Sequence, residues 1–390
     1  MRQTWRWFGP DDPVTLAHAR QAGAAGIVSA LHHMNRGQVW TGDEMAKRKN
    51  QIEAAGLTWD VVESIAVPET IKTRSGDFRQ KIDNHKQSLR AVARAGIKVC
   101  CYNFMAITDW TRTDLDWPLS HGGTALRFDM VDFCAYDVLV LQRRNAEADH
   151  PPERIAAAKT RLATWPESKL AQLERNLIDW VPARETVYDR PSFLRQLDEY
   201  RDLTVEGLRQ HLFQFVEEIA ETAEELGIKL AIHPDDPPFP LFGLPRVNST
   251  EADTQKLFDA VPSPANGVTL CTGSYGANPS NDLVKMAKAF GPRIHFAHLR
   301  NTTREADGSF YEAEHLDGDT DMIGVVAALR GIETAEHREI PMRPDHGHLI
   351  VDDIGKKVNP GYSCIGRLKG LAELRGVIRT VDAFRAGRVH

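Results

Sequence analysis

Four residues of metal-ligating type stand at matching places in the second half of this 390-residue sequence: His233 in LAIHPDD, Cys271 in VTLCTGS, His298 in IHFAHLR and Asp345 in PMRPDHG. Each closes a short apolar run, and a helix-like pattern separates each run from the next. Imidazole, thiolate and carboxylate can together hold one divalent cation and leave a coordination position for a substrate. Singly, each has a plainer reading. A histidine at a strand end is often a hydrogen-bonded rim residue, Cys271 fits a buried structural thiol, and Asp345 fits a helix cap. Their recurrence at the ends of four successive runs points to a metal-dependent enzyme. Zinc suits this ligand set, and manganese or ferrous iron accepts it where positions are left for substrate oxygens; spacing alone does not separate the three.

Groups able to move protons lie beside these four. His346 follows Asp345 in RPDHGH, and Tyr362 in NPGYSCIGR falls on the loop after the last run. A cation-polarised acid substrate has an acidified C–H next to its carboxylate, on which a base and an acid could act. Asn103, Glu63, Tyr102, His32 and His33 close earlier runs and are expected at the same mouth, with Arg300 beyond His298. Arg300 and Arg343 could grip an acidic substrate through the planar guanidinium. Two patterns are set aside. LDGDTDM (316–322) alternates Asp317, Asp319 and Asp321 like a calcium loop, but its glycine is misplaced and position twelve is Ala328. It reads as a polar loop and helix start, with Glu314 and His315 near the substrate. His346 and His348 are too close for the zinc-helix pair at i and i+4.

The elements that must position these residues alternate in type. Strand-like runs at 4–9, 26–31, 59–64, 98–104, 229–234, 267–273, 293–299 and 339–345 are separated by amphipathic segments, with a last helix from about Arg367. Eight such alternations predict a (β/α)8 TIM barrel, in which strand ends converge on one face. No glycine-rich turn follows any run, which argues against a doubly wound dinucleotide-binding sheet. Residues 105–203 break the rhythm after strand four and predict a helical insertion on the catalytic face. The reading is therefore one catalytic domain over 1–390.

Composition limits the function classes. Apolar residues make up 42% and charged residues 26%, and the net charge of −6 argues against a nucleic-acid surface. No stretch approaches the roughly 20 apolar residues of a membrane span. The N-terminal MRQTWRWFGPDDP is broken by charge and proline where a signal peptide needs an apolar run. Five cysteines without regular spacing then predict reduced thiols and a cytoplasmic enzyme.

The chain resembles the mannonate dehydratases of the hexuronate (glucuronate) pathway, a family of xylose-isomerase-like barrels. WRWFGP, VSALHHMNRGQVW, WDVVESIAVPETIKTRSG, CYNFMAITDWTRTDL, RPDHGH and NPGYSCIGRLKGLAELRG carry the resemblance over nearly the whole length. It implies a hydro-lyase that removes water from D-mannonate to give 2-keto-3-deoxy-D-gluconate. It further implies that His233, Cys271, His298 and Asp345 bind Mn2+ or Fe2+ in preference to Zn2+. His346 and Tyr362 would be the acid–base pair, without saying which is which, and the enzyme would be a homodimer or larger homo-oligomer. Asn103, Arg300 and Arg343 are the expected substrate contacts. The alternative is a metal-dependent sugar isomerase or epimerase on the same barrel, which would move a proton without losing water.

Overall fold

The computed structural model describes residues 1–179 and 188–388. Among these the chain forms twelve strands: β1 (Arg2–Arg6), β2 (Gly26–Ser29), β3 (Thr58–Glu63), β4 (Val99–Tyr102), β5 (Asp114–Pro118), β6 (Thr124–Phe128), β7 (Lys229–Ile232), β8 (Asn266–Cys271), β9 (Ile294–His298), β10 (Thr302–Arg304), β11 (Phe310–Glu312) and β12 (Pro341–Arg343). β1, β2, β3, β4, β7, β8, β9 and β12 are parallel and close in that order into a barrel, with β12 pairing back onto β1. These eight correspond to the eight apolar runs of the sequence.

Strand periodicity divides the side chains between two cores. Val28, Val61, Val99, Cys101, Ala231 and Phe296 fill the barrel interior as a cluster of their own. Their neighbours of opposite parity, among them Ile27, Val62, Cys100, Ile232 and Ala297, face the surrounding helices. The long helix Val205–Leu226 shows how that outer layer is specified. Thr204 caps it by accepting from Gly207 N–H, and Gly227 ends it in the left-handed conformation at φ 64°. Leu208, Leu212, Phe215, Ile219 and Ala223 recur along its buried face at helical spacing. Phe215 meets the ring of His85, on the helix Phe78–Arg94, edge to face at 5.3 Å.

The insertion after β4 differs from the helical excursion the sequence predicts. It does contain helices, at Met130–Cys134, Pro152–Leu162, Glu167–Glu174 and Arg190–Asp198. It opens, however, with the antiparallel hairpin β5–β6, turning through His121-Gly122-Gly123 with Gly122 at φ 89°. A second hairpin, β10–β11, follows β9 where only a polar loop is expected, and the two join as a four-stranded sheet in the order β10-β11-β6-β5. Alternating short runs around a glycine turn specify a hairpin more strongly than a helix, which accounts for the difference. Residues 180–187 of the predicted insertion lie outside the described residues.

LDGDTDM is a polar turn, and Asp321 caps the helix Met322–Glu336 by accepting from Gly324 N–H. The last helix begins at Cys364, just before the expected point. Its first turn crosses the loop after β12 with almost no clearance. A Cβ on Gly366 would lie 2.1 Å from the His348 carbonyl oxygen, and one on Gly347 would lie 2.3 Å from the Gly366 carbonyl carbon. Both obstacles are backbone, so neither can swing aside. Gly366→Ala is expected to cost about 1–3 kcal/mol, the range for overpacking, seen as a lower melting temperature by circular dichroism; an unchanged Tm would contradict this crossing.

Candidate active site

Inward-pointing positions at the carboxyl ends of the barrel strands build the site. The parity that puts Val61, Ala231, Phe296 and Thr269 inside also turns Glu63, His233, His298 and Cys271 toward the mouth, one layer higher. Arg343 at the end of β12 follows the same rule. Tyr102 does not: it is fully buried against Phe215 at 6.0 Å, outside the barrel, because it has the opposite parity to Asn103. His33 also misses the mouth; it is exposed and paired with Glu44 at 2.8 Å. His315 is buried behind the mouth, its Nε2 against the Pro344 carbonyl at 2.7 Å. These are corrections to the expected lining. A cavity of about 160 Å3 remains, lined among others by Asn103, His233, Arg300, Arg343, His346 and Tyr362. His32 and Glu63 line it as expected.

The four candidate ligands converge. One ligand atom each from His233, Cys271 and His298 lies within 4.8 Å of the other two. Asp345 Oδ2 lies 3.7 Å from Cys271 Sγ and 3.9 Å from His298 Nδ1. His233 Nδ1–H donates to the Pro234 carbonyl at 2.7 Å, so Nε2 carries the lone pair. Burial holds this imidazole below its ordinary pKa and in the neutral form a ligand requires. His298 is completely buried, and its Nδ1 has no hydrogen-bond partner. Two arrangements compete at its Nε2. It accepts from Arg343 Nε at 3.1 Å, or it donates toward Glu63 Oε2 at 3.6 Å, a buried oxygen with no other hydrogen bond. The first is the hydrogen bond formed here; were Nε2 to turn a proton to Glu63 instead, Nδ1 would carry the lone pair beside Asp345 and Glu63 would be the outer carboxylate of a histidine ligand. The donor set thus fits a divalent cation.

Charge in this pocket is closely balanced. Asp345 adopts a left-handed φ of 67°, which aspartate tolerates better than most residues. Its carboxylate contacts Arg343 through Oδ1 and Arg300 Nη1 at 3.2 Å through Oδ2. Burial by itself would raise this carboxyl, but Arg343, His346 and Arg300 together hold it well below the usual range. Glu63 behaves alike, with burial opposed by Arg343 at 2.9 Å and Arg6 at 3.3 Å. Arg300 Nη2 also reaches Asp236 at 2.6 Å, and Asp236 takes a two-pronged contact from Arg112 at 2.7 and 3.3 Å. The guanidiniums of Arg300 and Arg343 are therefore turned to protein carboxylates, although both residues line the cavity.

His346 and Tyr362 sit side by side, with ring centroids 4.9 Å apart in edge-to-face contact. Burial pushes the Tyr362 phenol up, partly offset by Arg343. Among the residues that sequence reasoning missed, together with Arg112 and Asp236, is Glu312. Both of its carboxylate oxygens lie 2.8 Å from His346 Nδ1, and Arg112 Nη2 reaches it at 3.0 Å. Glu312 ends β11, outside the barrel. The signal for it was the Asp307-Gly308 pair between TTRE and SFYE, a hairpin turn that places Glu312 opposite Thr302.

The fold is a (β/α)8 TIM barrel with its candidate site at the carboxyl ends of the strands. A xylose isomerase domain protein from Planctomyces limnophilus shares the fold alone, at TM-score 0.52 and 9% identity over 99% of each chain. Sequence narrows the class, since residues 1–387 match the family described as D-mannonate dehydratase (UxuA). The chain belongs to the mannonate dehydratase family. It is 53% identical to a mannonate dehydratase of Saccharophagus degradans, covering 99% of both chains, and 53% identical to mannonate dehydratase 2 of Agrobacterium fabrum, covering 98% of both. The crystal structure of mannonate dehydratase from Streptococcus suis serotype 2 superposes with TM-score 0.78 at 33% identity, covering 99% of this chain and 95% of that one.

The rim beside His346 carries a separate charged cluster. His348 Nδ1 lies 3.4 Å from Glu314 Oε1, Lys369 Nζ lies 2.5 Å from the same oxygen, and His121 at the β5–β6 turn approaches to 3.8 Å. The close ion-pair contact with His348, with help from Lys369, brings the Glu314 carboxyl down to about 2, and the same contact raises His348 against the effect of its burial. A lowered carboxylate stabilises the fold above its unfolded pKa, about 4.3, and a raised histidine does so below its own, about 6.5. The pair is fully formed between those limits. Melting temperatures across pH 3–8 should therefore show the largest gap between wild type and Glu314→Gln at about pH 5–6, narrowing in both directions. A gap that keeps widening toward pH 8 would contradict the pairing.

Proposed function

We propose that this chain catalyses the dehydration of D-mannonate to 2-keto-3-deoxy-D-gluconate, a step of hexuronate catabolism. Full-length identity of 53% to proteins named mannonate dehydratase carries the reading. Asn103, His233, Arg300, Arg343, Asp345, His346 and Tyr362 line one cavity, and Cys271 and His298 gather beside His233, which supports it.

In this reading His233, Cys271, His298 and Asp345 hold one Mn2+ or Fe2+. Zn2+ is the less favoured occupant on the family resemblance. The cation supplies Lewis-acid charge beside the substrate carboxylate, making the C2 proton more acidic. Asn103 offers an uncharged hydrogen-bonding edge to substrate hydroxyls. Arg300 and Arg343, tied to protein carboxylates, keep fixed positive charge near the place where the substrate carboxylate would sit. His346 and Tyr362 move the protons that must leave C2 and reach the departing C3 hydroxyl. Among the described residues no helix is long and apolar enough to cross a membrane. A cytoplasmic location is proposed on the reading of the cysteines as reduced thiols, and a homodimer or larger homo-oligomer on the family resemblance.

Two experiments test the reading. Chelator-stripped protein given Mn2+ or Fe2+ should regain 2-keto-3-deoxygluconate formation from D-mannonate, with Zn2+ restoring less. Product with the mass of the substrate, and not one water lighter, would turn the assignment toward an isomerase. Tyr362→Phe should lower kcat by about 10^2–10^4-fold, the usual range for a lost acid or base, with metal content at the wild-type level. Unchanged turnover would remove Tyr362 from the chemistry.

A further inference from the structure

We propose that His121, Glu314 and His348 form a second divalent-cation site, at the rim of the barrel and separate from the residues gathered at its mouth. Two imidazoles and one carboxylate suit Zn2+ better than Mn2+ or Ca2+.

His348 is buried, and its neutral ring has one tautomer. Nε2 lies 2.8 Å from the Glu312 backbone carbonyl, which can only accept, so the proton is on Nε2. Nδ1 is then a lone pair. It makes no hydrogen bond and lies 3.4 Å from Glu314 Oε1, itself an acceptor. Two acceptors brought this close need a cation between them. A proton serves in acid, as in the ion pair described above, and a divalent metal serves where that proton is lost. The spacing suits a metal, since two ligand atoms about 2.1 Å from a tetrahedral zinc ion stand about 3.4 Å apart.

His121 completes the set from a different element. It stands at the β5–β6 turn, its Nε2 is 3.8 Å from the same Glu314 oxygen, and its ring stacks beside that of His348 at 5.8 Å. One ligand atom from each of the three residues lies within 4.8 Å of the other two. Side-chain exposure rises from 6% at His348 through 23% at Glu314 to 44% at His121. An ion can therefore enter from solvent and keep a water as its fourth ligand.

Two contacts yield to the ion. Gly123 N–H donates to His121 Nδ1 at 3.2 Å; a metal on Nε2 moves the ring proton to Nδ1 and opens that long bond. Lys369 Nζ lies 2.5 Å from Glu314 Oε1 and supplies the positive charge that a metal would replace. Its side chain is partly exposed, and Glu373, 3.6 Å away, can receive it. The bound ion joins three segments far apart in the chain: the β5–β6 turn, the residues after β11, and the loop between Asp345 and Tyr362. It fastens the outer sheet to the loop that carries the candidate proton-transfer residues.

Metal content tests the site. Wild type, His121→Ala, Glu314→Gln and Lys369→Ala are stripped with chelator and dialysed at about pH 8, where a proton competes least for Nδ1, against a series of free Zn2+ concentrations. Zn2+ per chain is then measured by elemental mass spectrometry. Any Zn2+ at the mouth is common to all four proteins, so differences between them report the rim. Wild type should hold one more Zn2+ per chain than His121→Ala or Glu314→Gln. Each of these should bind the rim ion at least about 100-fold more weakly, since losing a ligand costs more than the 10–100-fold of losing a ligand's outer partner. Lys369→Ala, which lacks the competing ammonium, should bind that ion severalfold more tightly than wild type, a change that loss of a merely structural lysine would not produce. Zn2+ should also raise the melting temperature of wild type by more than that of His121→Ala. Equal Zn2+ content in wild type and the two ligand variants overturns the site, as does a Lys369→Ala variant that binds no more tightly than wild type. If Glu314→Gln does not fold, His121→Ala, altered at an exposed turn, and Lys369→Ala decide in the same terms.

Discussion

The organising constraint is the cost of placing many charges where water hardly reaches. Arg112, Arg300 and Arg343 and the carboxylates of Asp236, Glu312 and Asp345 are all buried at the mouth, with Arg6 and Glu63 at its margin. An isolated charge in such a place costs several kcal/mol, and removing one partner of a buried pair typically costs about 3–5 kcal/mol. Arginines and carboxylates therefore alternate through the site, and each is tied to at least one opposite charge. The barrel strands supply only part of that balance. Arg112 arrives just before β5 and Glu312 at the end of β11, so the four-stranded sheet outside the barrel is needed to neutralise its mouth.

This division explains what was legible in the sequence. The eight barrel strands read clearly because strands covered on both faces need continuous apolar runs, and each run stopped where its inward side chain became polar. His233, Cys271, His298 and Asp345 could be found in the same way. Tyr102 was misjudged by one residue of parity, since a run that ends in Tyr-Asn does not announce which of the two turns inward. Arg112 and Glu312 could not be found from strand ends at all, because they reach the site from hairpins whose contact is between segments far apart in the chain. The helical expectation for residues 105–203 failed at its start for a related reason: β6 pairs with β11, which lies outside the segment.

Fold and family draw on different parts of the molecule. The barrel is shared with a xylose isomerase domain protein at 9% identity, where it speaks for architecture only. The features that make this mouth particular sit on loops and hairpins carried by that scaffold, as functional residues commonly do. The backbone crossing of Gly347 and Gly366 belongs here too, for it presses the loop bearing Asp345 and His346 onto the last helix.

Barrel closure has a consequence for synthesis of the chain. β1 lies between β2 and β12, and Arg2 is in register with Pro341. At about 5–20 residues per second, the strand that completes the pairing of β1 emerges on the order of half a minute after it. Until then the nascent chain carries an open sheet edge, and Arg6 and Glu63 lack their neighbour Arg343. Unpaired edges of this kind invite pairing with other chains. A polypeptide whose barrel closes by pairing β1 with β12 thus spends most of its synthesis with that barrel open.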